Sequence, residues 1–215
     1  MSYRLPPKGE ISPVPEDGEH VVFISHFQRG FGLPASDFLR AFLNKFRLLP
    51  HHLLANAWVF LSAFACLFEG YLGLWPSPHH WAKYHNFRVQ TIQGSTMPVK
   101  PLVQCGAASV MPRKKVQFIQ VQGLASARKW LRTYFYVKNN TDEDFINLPA
   151  YVAGTPDAQL NWRSCPPDQT KDDAEITAFI TGLVKAGKLQ PDDLVRTFIS
   201  RWVLPCSGGP TRSVI

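Results

Sequence analysis

The chain has 215 residues, of which 45% are apolar and 13% aromatic, enough to bury a substantial core and too many for a disordered chain. Only 18% are charged, against about 25% in an ordinary soluble domain, and 23 Lys and Arg against 16 Asp and Glu leave a formal charge of +7. Eighteen prolines exclude an array of long helices, and four scattered cysteines without a C-x-x-C pair exclude a dense disulfide framework, leaving free thiols in a reducing compartment.

Residues 1–19 are rich in proline and acid and read as a flexible leader. They contain no basic-then-apolar signal segment, so an intracellular protein of the nucleus or cytoplasm is expected. Val21 to Phe27 reads as a strand or the start of a buried segment, and Gly30 to Pro34 as a turn. Ser36 or Asp37 then caps a helix, because either side-chain oxygen can accept from a free N–H of the first turn. Phe38, Leu39, Phe42, Leu43 and Phe46 share one face of a 3.6-residue period.

Leu53 to Leu72 reads as one long apolar helix at the centre of the packing. Its uninterrupted apolar part, Ala57 to Phe68, is too short to span a bilayer, which takes about 20 residues. Pro78 suits the first turn of a third helix. From Phe87 to Val137 the pattern turns to strands: FRVQTIQ, the alternating VQFIQVQ from Val116 to Gln122, and YFYVK from Tyr134, with a helical turn at SARKWLR. Asp172 or Asp173 caps a helix whose Ile176, Phe179, Ile180, Leu183 and Val184 form an apolar stripe, ended at Gly187. Pro191 starts a last helix. The expected fold class is α+β: one helix-dominated domain over 20–205, with a small antiparallel sheet in the middle of the chain.

Three patterns invite chemistry. Gly30-Phe31-Gly32-Leu33-Pro34-Ala35 matches G-x-G-x-x-A between a strand and a helix, the outline of a dinucleotide-binding turn. Pro34 removes one donor N–H, and the ribose-binding acid expected some 20 residues on is replaced by LLPHHLLANA. A turn that seats an aromatic helix is therefore favoured over a dinucleotide-binding enzyme, and no cofactor is expected. His51-His52, His79-His80 and His85 suggest metal, but adjacent helical side chains diverge and no ligand motif accompanies them. Histidines at the surface or at helix ends are expected instead. No nucleophile elbow, P-loop or aspartic-protease motif occurs, and no residue is assigned a catalytic role.

The charge distribution says more. Between Glu69 and Asp142 there is no acidic residue, while Lys83, Arg88, Lys100, Arg113, Lys114, Lys115, Arg128, Lys129, Arg132 and Lys138 are basic. Trp75, Trp81, Tyr84, Trp130, Tyr134 and Tyr136 fall in the same interval. Cations neutralise phosphates and aromatic faces stack on unpaired bases, so nucleic acid (RNA or DNA) is one expected partner, with Arg113, Lys114, Lys115, Arg128, Lys129 and Arg132 as the contact residues. An acidic protein, self-association, or a merely solvated basic face fits the same pattern.

RGFGLPASDFLRAFLNKF from Arg29 and LLPHHLLANAWVFLSAFACLFEGYLG from Leu48 resemble the N-terminal domain of plant gypsy-type transposon proteins. Gln104-Cys105-Gly106, Trp130 with YFYVKN, INLPAYV from Ile146 and DDLVRTFISR from Asp192 extend the resemblance over roughly 18–205. It implies a retrotransposon-derived, gag-like, non-enzymatic domain with no catalytic residues to carry over. The family tends to continue after FISR with R-V-L-P-L-Q-x-R-P-H, whereas this chain reads RWVLPCSGGPTRSVI. Reading CTG-CAG-CGG-AGG-CCC-CAC one base later gives Cys-Ser-Gly-Gly-Pro, which is Cys206 to Pro210. Residues 206–215 are therefore expected to be a frameshifted, disordered tail.

Overall fold

The computed structural model describes residues 1–10, 12–89, 105–114, 118–119, 129–139, 146–149, 162, 164–167, 170–187 and 194. Five α-helices and two small antiparallel sheets are found among them: β1 (Ser2–Arg4), β2 (His20–Phe23), α1 (Ile24–Phe27), α2 (Asp37–Phe46), α3 (Ala57–Ala65), α4 (Pro78–Tyr84), β3 (His85–Val89), β4 (Ala108–Pro112), β5 (Tyr134–Lys138) and α5 (Lys171–Lys185). This is the α+β class that the residue pattern implies. None of the described helices is long and apolar enough to cross a membrane.

α2 forms where its period predicts. Ser36 is its N-cap, with Oγ accepting from the Leu39 N–H at 3.2 Å, and Asp37 sits favourably at the positive end of the dipole. All five aromatic and leucine positions of the periodic face are buried. They meet Trp81 of α4 and Phe87 of β3 edge to face: Phe42–Trp81 centroids lie 4.8 Å apart and Phe46–Phe87 5.1 Å. Trp162 closes this cluster, its Nε1–H donating to the Phe46 carbonyl at 2.9 Å. Ser36→Ala removes the cap and is expected to lower stability by about 1 kcal/mol, read as an earlier urea midpoint with unchanged slope.

The central helix departs from expectation. Pro50–His52 form a 3₁₀ turn, Leu53 and Leu54 are extended, and only from Ala57 is the chain helical. The reason is a distant strand: the Leu54 N–H donates to the Ala108 carbonyl at 3.0 Å, and Leu53 bridges Ala108. After Ala65 the helix widens to a π-helix over Cys66–Leu72, stopped by Gly73 at φ +68°.

α4 starts at Pro78 as its sequence predicts, with Ser77 Oγ accepting from the His80 N–H at 3.1 Å. α5 is capped by Thr170 rather than by Asp172 or Asp173; Asp173 reciprocates, accepting from the Thr170 N–H at 3.3 Å. The sequence T-K-D-D contains this reciprocal box, but Thr170 falls in a stretch that reads as loop. Ile180 is buried and Gly187 ends the helix at φ +65°, whereas Phe179 of the expected stripe is 57% exposed.

The sheet is not confined to the middle of the chain. Its order is β1-β5-β2, antiparallel throughout, so the leader and Val21–Phe23 flank YFYVK on both sides. Ser2–Arg4 of the leader pair with β5. Within the leader, Arg4 and Glu19 form a two-pronged ion pair, at 2.9 and 2.6 Å. β3 and β4 make a separate two-stranded sheet. Phe87 heads the first expected strand, but most of VQFIQVQ, the helix from Pro191 and the tail 206–215 lie outside the described residues.

Candidate functional site

The glycine turn comes first because it carries the sharpest motif. β2 gives way to the short α1, and Gly30 takes φ +97°, a left-handed conformation that strains any L side chain. A Cβ on Gly30 would also lie 2.0 Å from Ser62 Oγ, so this glycine lets the turn press against α3. Gly32 has no such constraint; nothing lies within 4 Å of where its Cβ would be. Arg29 locks the turn, donating from Nε to Asn56 Oδ1 at 3.1 Å and from Nη1 to the Ser25 carbonyl at 3.2 Å. Gly30→Ala is expected to cost about 2 kcal/mol or more, since strain and clash combine; a thermal melt within a degree or so of wild type would contradict this.

A cavity of about 220 Å³ lies between the turn and α3, lined by Gly30, Gly32, Pro34, Phe38, Trp58 and Leu61 among others, with no charged side chain in its wall. The first-turn Leu39 N–H is already taken by Ser36 Oγ, and the Asp37 carboxylate occupies the helix end where a pyrophosphate would bind. The strand before the turn runs antiparallel to its neighbour. The turn thus has the glycines of the motif without its parallel strand, open donors or counter-charge. Its other fixed point is Asn147, at φ +55°, whose amide donates to the Ala35 carbonyl at 2.7 Å and whose Oδ1 accepts from Arg40 at 2.5 Å. The LPAS and INLP stretches, over a hundred residues apart in the chain, are therefore in direct contact.

His51 and His52 sit in the 3₁₀ turn, His79 and His80 in the first turn of α4 and His85 at its C-cap, so the helix-end placement holds, but most of these rings are buried rather than at the surface. His26, His52 and His85 are fully buried and His79 nearly so. His26 is packed between Trp58, Phe23 and Trp130, stacking on the last at 5.4 Å. His85 lies against Trp81, Phe118 and Phe60. Burial pushes both imidazoles down to about 3, helped by the nearby Arg29 and Arg113 respectively. No group of three or more His, Cys, Asp or Glu among the described residues has metal-binding geometry. His79 and His80 instead tie α5 to α4, their Nε2 atoms lying 3.4 and 2.8 Å from the two oxygens of Asp173. Ser77 Oγ is 2.9 Å from the other ring nitrogen of His80, but that hydroxyl is already the cap of α4.

The basic interval divides into structural and exposed cations. Arg113 is half-buried and spends its guanidinium on carbonyls, donating from Nε to Ala82 at 2.7 Å and from Nη2 to Ser164 at 2.5 Å. Lys83 is buried in α4. Arg88, Lys114, Lys129, Arg132 and Lys138 are exposed, and Lys100, Lys115 and Arg128 lie outside the described residues. Lys129 caps and Arg132 ends the 3₁₀ turn that leads into β5, and Lys138 ends that strand, so the three stand at its two ends. Arg113→Ala is accordingly expected to lower stability by about 2 kcal/mol, as loss of charge-assisted bonds does, whereas Lys114→Ala leaves the melt unchanged.

The aromatics of the interval serve mostly as core. Trp81, Tyr84, Tyr134 and Tyr136 are buried, Trp130 is half-buried against His26, and Trp75 alone of those six is largely exposed, at 68%. The signal for this was present in the spacing: Trp81 and Tyr84 stand i, i+3 on a helix, and Tyr134 and Tyr136 alternate on a strand.

No curated protein and no solved structure matches the chain. A family model described as "Putative gypsy type transposon" matches residues 21–90. That span runs from β2 to the end of β3 and holds the glycine turn, the aromatic face of α2 and the buried histidines 26, 52, 79 and 85. Through residues 21–90, the stretch that builds its helical core, the chain is similar to the gypsy-type transposon family.

Proposed function

We propose that this transposon-derived chain is a non-enzymatic binding domain whose ligand is nucleic acid, held by the exposed cations beside β5. One observation carries the reading: Lys129, Arg132 and Lys138 stand exposed at the two ends of β5, the central strand of the sheet, within a stretch between Glu69 and Asp142 that has no acidic residue. Cations so placed release counterions from a phosphate backbone on contact, a favourable entropy that needs no sequence-specific pocket. Ser77, His80 and Asp173 lie in hydrogen-bond reach of one another, but the Ser77 hydroxyl also caps α4. Replacing Lys129, Arg132 and Lys138 together by Ala tests it. Affinity for labelled RNA is expected to fall about tenfold or more at low salt, with the salt slope reduced by about 2. Unchanged affinity in a folded triple variant would refute the assignment.

Self-association or an acidic protein partner is a second reading, favoured by one feature. Leu74 and Trp75 are an apolar pair 40% and 68% exposed just after the π-helix.

A further inference from the structure

The three-stranded sheet has two apolar faces. Val22 and Val137 enter the main core with Phe135 packed against it, while Val21, Phe23, Tyr134 and Tyr136 form a separate cluster on the opposite side. Because side chains alternate along a strand, Lys138 stands on the tyrosine side too, in line with Tyr134 and Tyr136. Lys129 and Arg132 lie at the other end of β5.

Both tyrosines are buried, at 5% and 0% exposed, and the acidic leader lies against them. The Glu10 carboxylate accepts from the Tyr134 hydroxyl at 2.9 Å and from the Tyr136 hydroxyl. The Val14 N–H donates to Tyr136 Oη at 2.8 Å, and the Arg4 guanidinium lies 4.0 Å above the Tyr136 ring. Glu19 then holds Arg4 and lies within electrostatic reach of Lys138. A carboxylate on the tyrosine hydroxyls and a guanidinium stacked on the ring are the contacts that a phosphate and a base would otherwise make there.

We infer that the tyrosine face of the sheet is a single-stranded nucleic-acid platform, and that residues 1–19 are an acidic strap occupying it until ligand displaces them. This rests on the nucleic-acid reading above and refines it. In single-strand recognition, aromatic side chains on a sheet stack on successive bases while flanking cations track the backbone. Tyr134 and Tyr136 supply the first element, and Lys129, Arg132 and Lys138 the second. The strap makes the binding-competent state a minority, so apparent affinity is reduced by the competent fraction. Releasing it raises affinity without adding any contact.

The test is fluorescence anisotropy on the full chain with a labelled single-stranded RNA and the same sequence as a duplex. Glu10→Gln, which keeps the size of the side chain and removes its charge, is expected to tighten single-strand binding about tenfold. Glu175→Gln makes the same charge change on the exposed side of α5 and is expected to match wild type. Adding Tyr134→Leu to Glu10→Gln is expected to cost about fivefold or more, as loss of a stacking partner does. Arg4→Ala is the second route should Glu10→Gln melt early. It removes a positive charge, so plain electrostatics weakens binding, whereas release of the strap strengthens it. Equal affinity of wild type and a folded Glu10→Gln, or an equal gain in both Gln variants, overturns the strap. A gain as large for duplex as for single strand overturns the stacking platform. No binding by any variant at low salt overturns the nucleic-acid reading itself, and this inference with it.

Discussion

Lowering the pH from 7 to 5 is expected to cost the fold about 4 kcal/mol, shared between His26 and His85. Both side chains are enclosed by aromatic rings and carry imidazoles pushed down to about 3, because burial penalises the charged form. In the unfolded chain each titrates near 6.5. The native state therefore binds fewer protons than the unfolded state throughout the window from about 6.5 down to 3. Stability is fully present above that window and is lost as pH falls through it, at about 1.4 kcal/mol per pH unit for each histidine. His51, which burial also lowers, adds to the loss. The Glu10 and Glu19 carboxyls, held low by hydrogen bonds from Tyr136 and from Arg4 respectively, contribute only further down, in the carboxylate range. Glu69, raised by burial, works in the opposite sense there. Urea melts at the two pH values read the difference directly. His26→Phe and His85→Phe, if tolerated, are each expected to flatten the pH dependence; a melt that does not move between pH 7 and 5 would contradict the buried, neutral state of these rings.

Phe42→Ala is expected to cost about 4 kcal/mol, enough to unfold a domain of ordinary stability. Phe42 is fully buried and stands at the meeting point of α2, α4 and β3, with ring centroids 4.8 Å from Trp81, 4.9 Å from Phe46 and 5.8 Å from Phe87. Truncation forfeits the transfer free energy of the ring and leaves a void among rigid aromatic neighbours that cannot collapse into it. Phe42→Leu keeps much of the volume and is expected to cost about 1 kcal/mol. Phe179→Ala makes the same chemical change on the exposed side of α5 and is expected to fall within about 0.5 kcal/mol of wild type. Guanidinium melts of the three variants give the ranking. Comparable losses at positions 42 and 179 would mean that the aromatic cluster is not the centre of the core.

The parts of this fold that could be read from the chain are those decided by local chemistry. α2 declares itself through a cap and five residues on one face, α4 through Pro78, β5 through its run of aromatic and β-branched residues, and the end of α5 through Gly187. What stayed hidden depends on partners far away in sequence. Leu53 and Leu54 have strong helical character, yet a hydrogen bond to Ala108 holds them extended. The leader has the composition of a flexible segment, and the strand partner of Ser2–Arg4 is β5, more than a hundred residues on. The histidines look like surface residues because imidazole is polar; their aromatic cages come from several separate elements.

The candidate interface was legible as charge and not as geometry. A run of ten cations without an acid is visible in the sequence, but nothing local distinguishes Arg113, bound to two carbonyls, from Lys129 and Arg132, which are exposed. The same holds for the tyrosines of β5. Their period assigns them to one face, and only the docked leader shows what covers that face.

The most direct test is a salt titration of the intact chain against labelled single-stranded RNA, plotted as log affinity against log salt. Lys114, Lys129, Arg132 and Lys138 are exposed, and four phosphate contacts from such cations give an expected slope of about −3 for a single strand. A slope near zero, or no binding at low salt, would contradict the assignment of this chain as a nucleic-acid-binding domain.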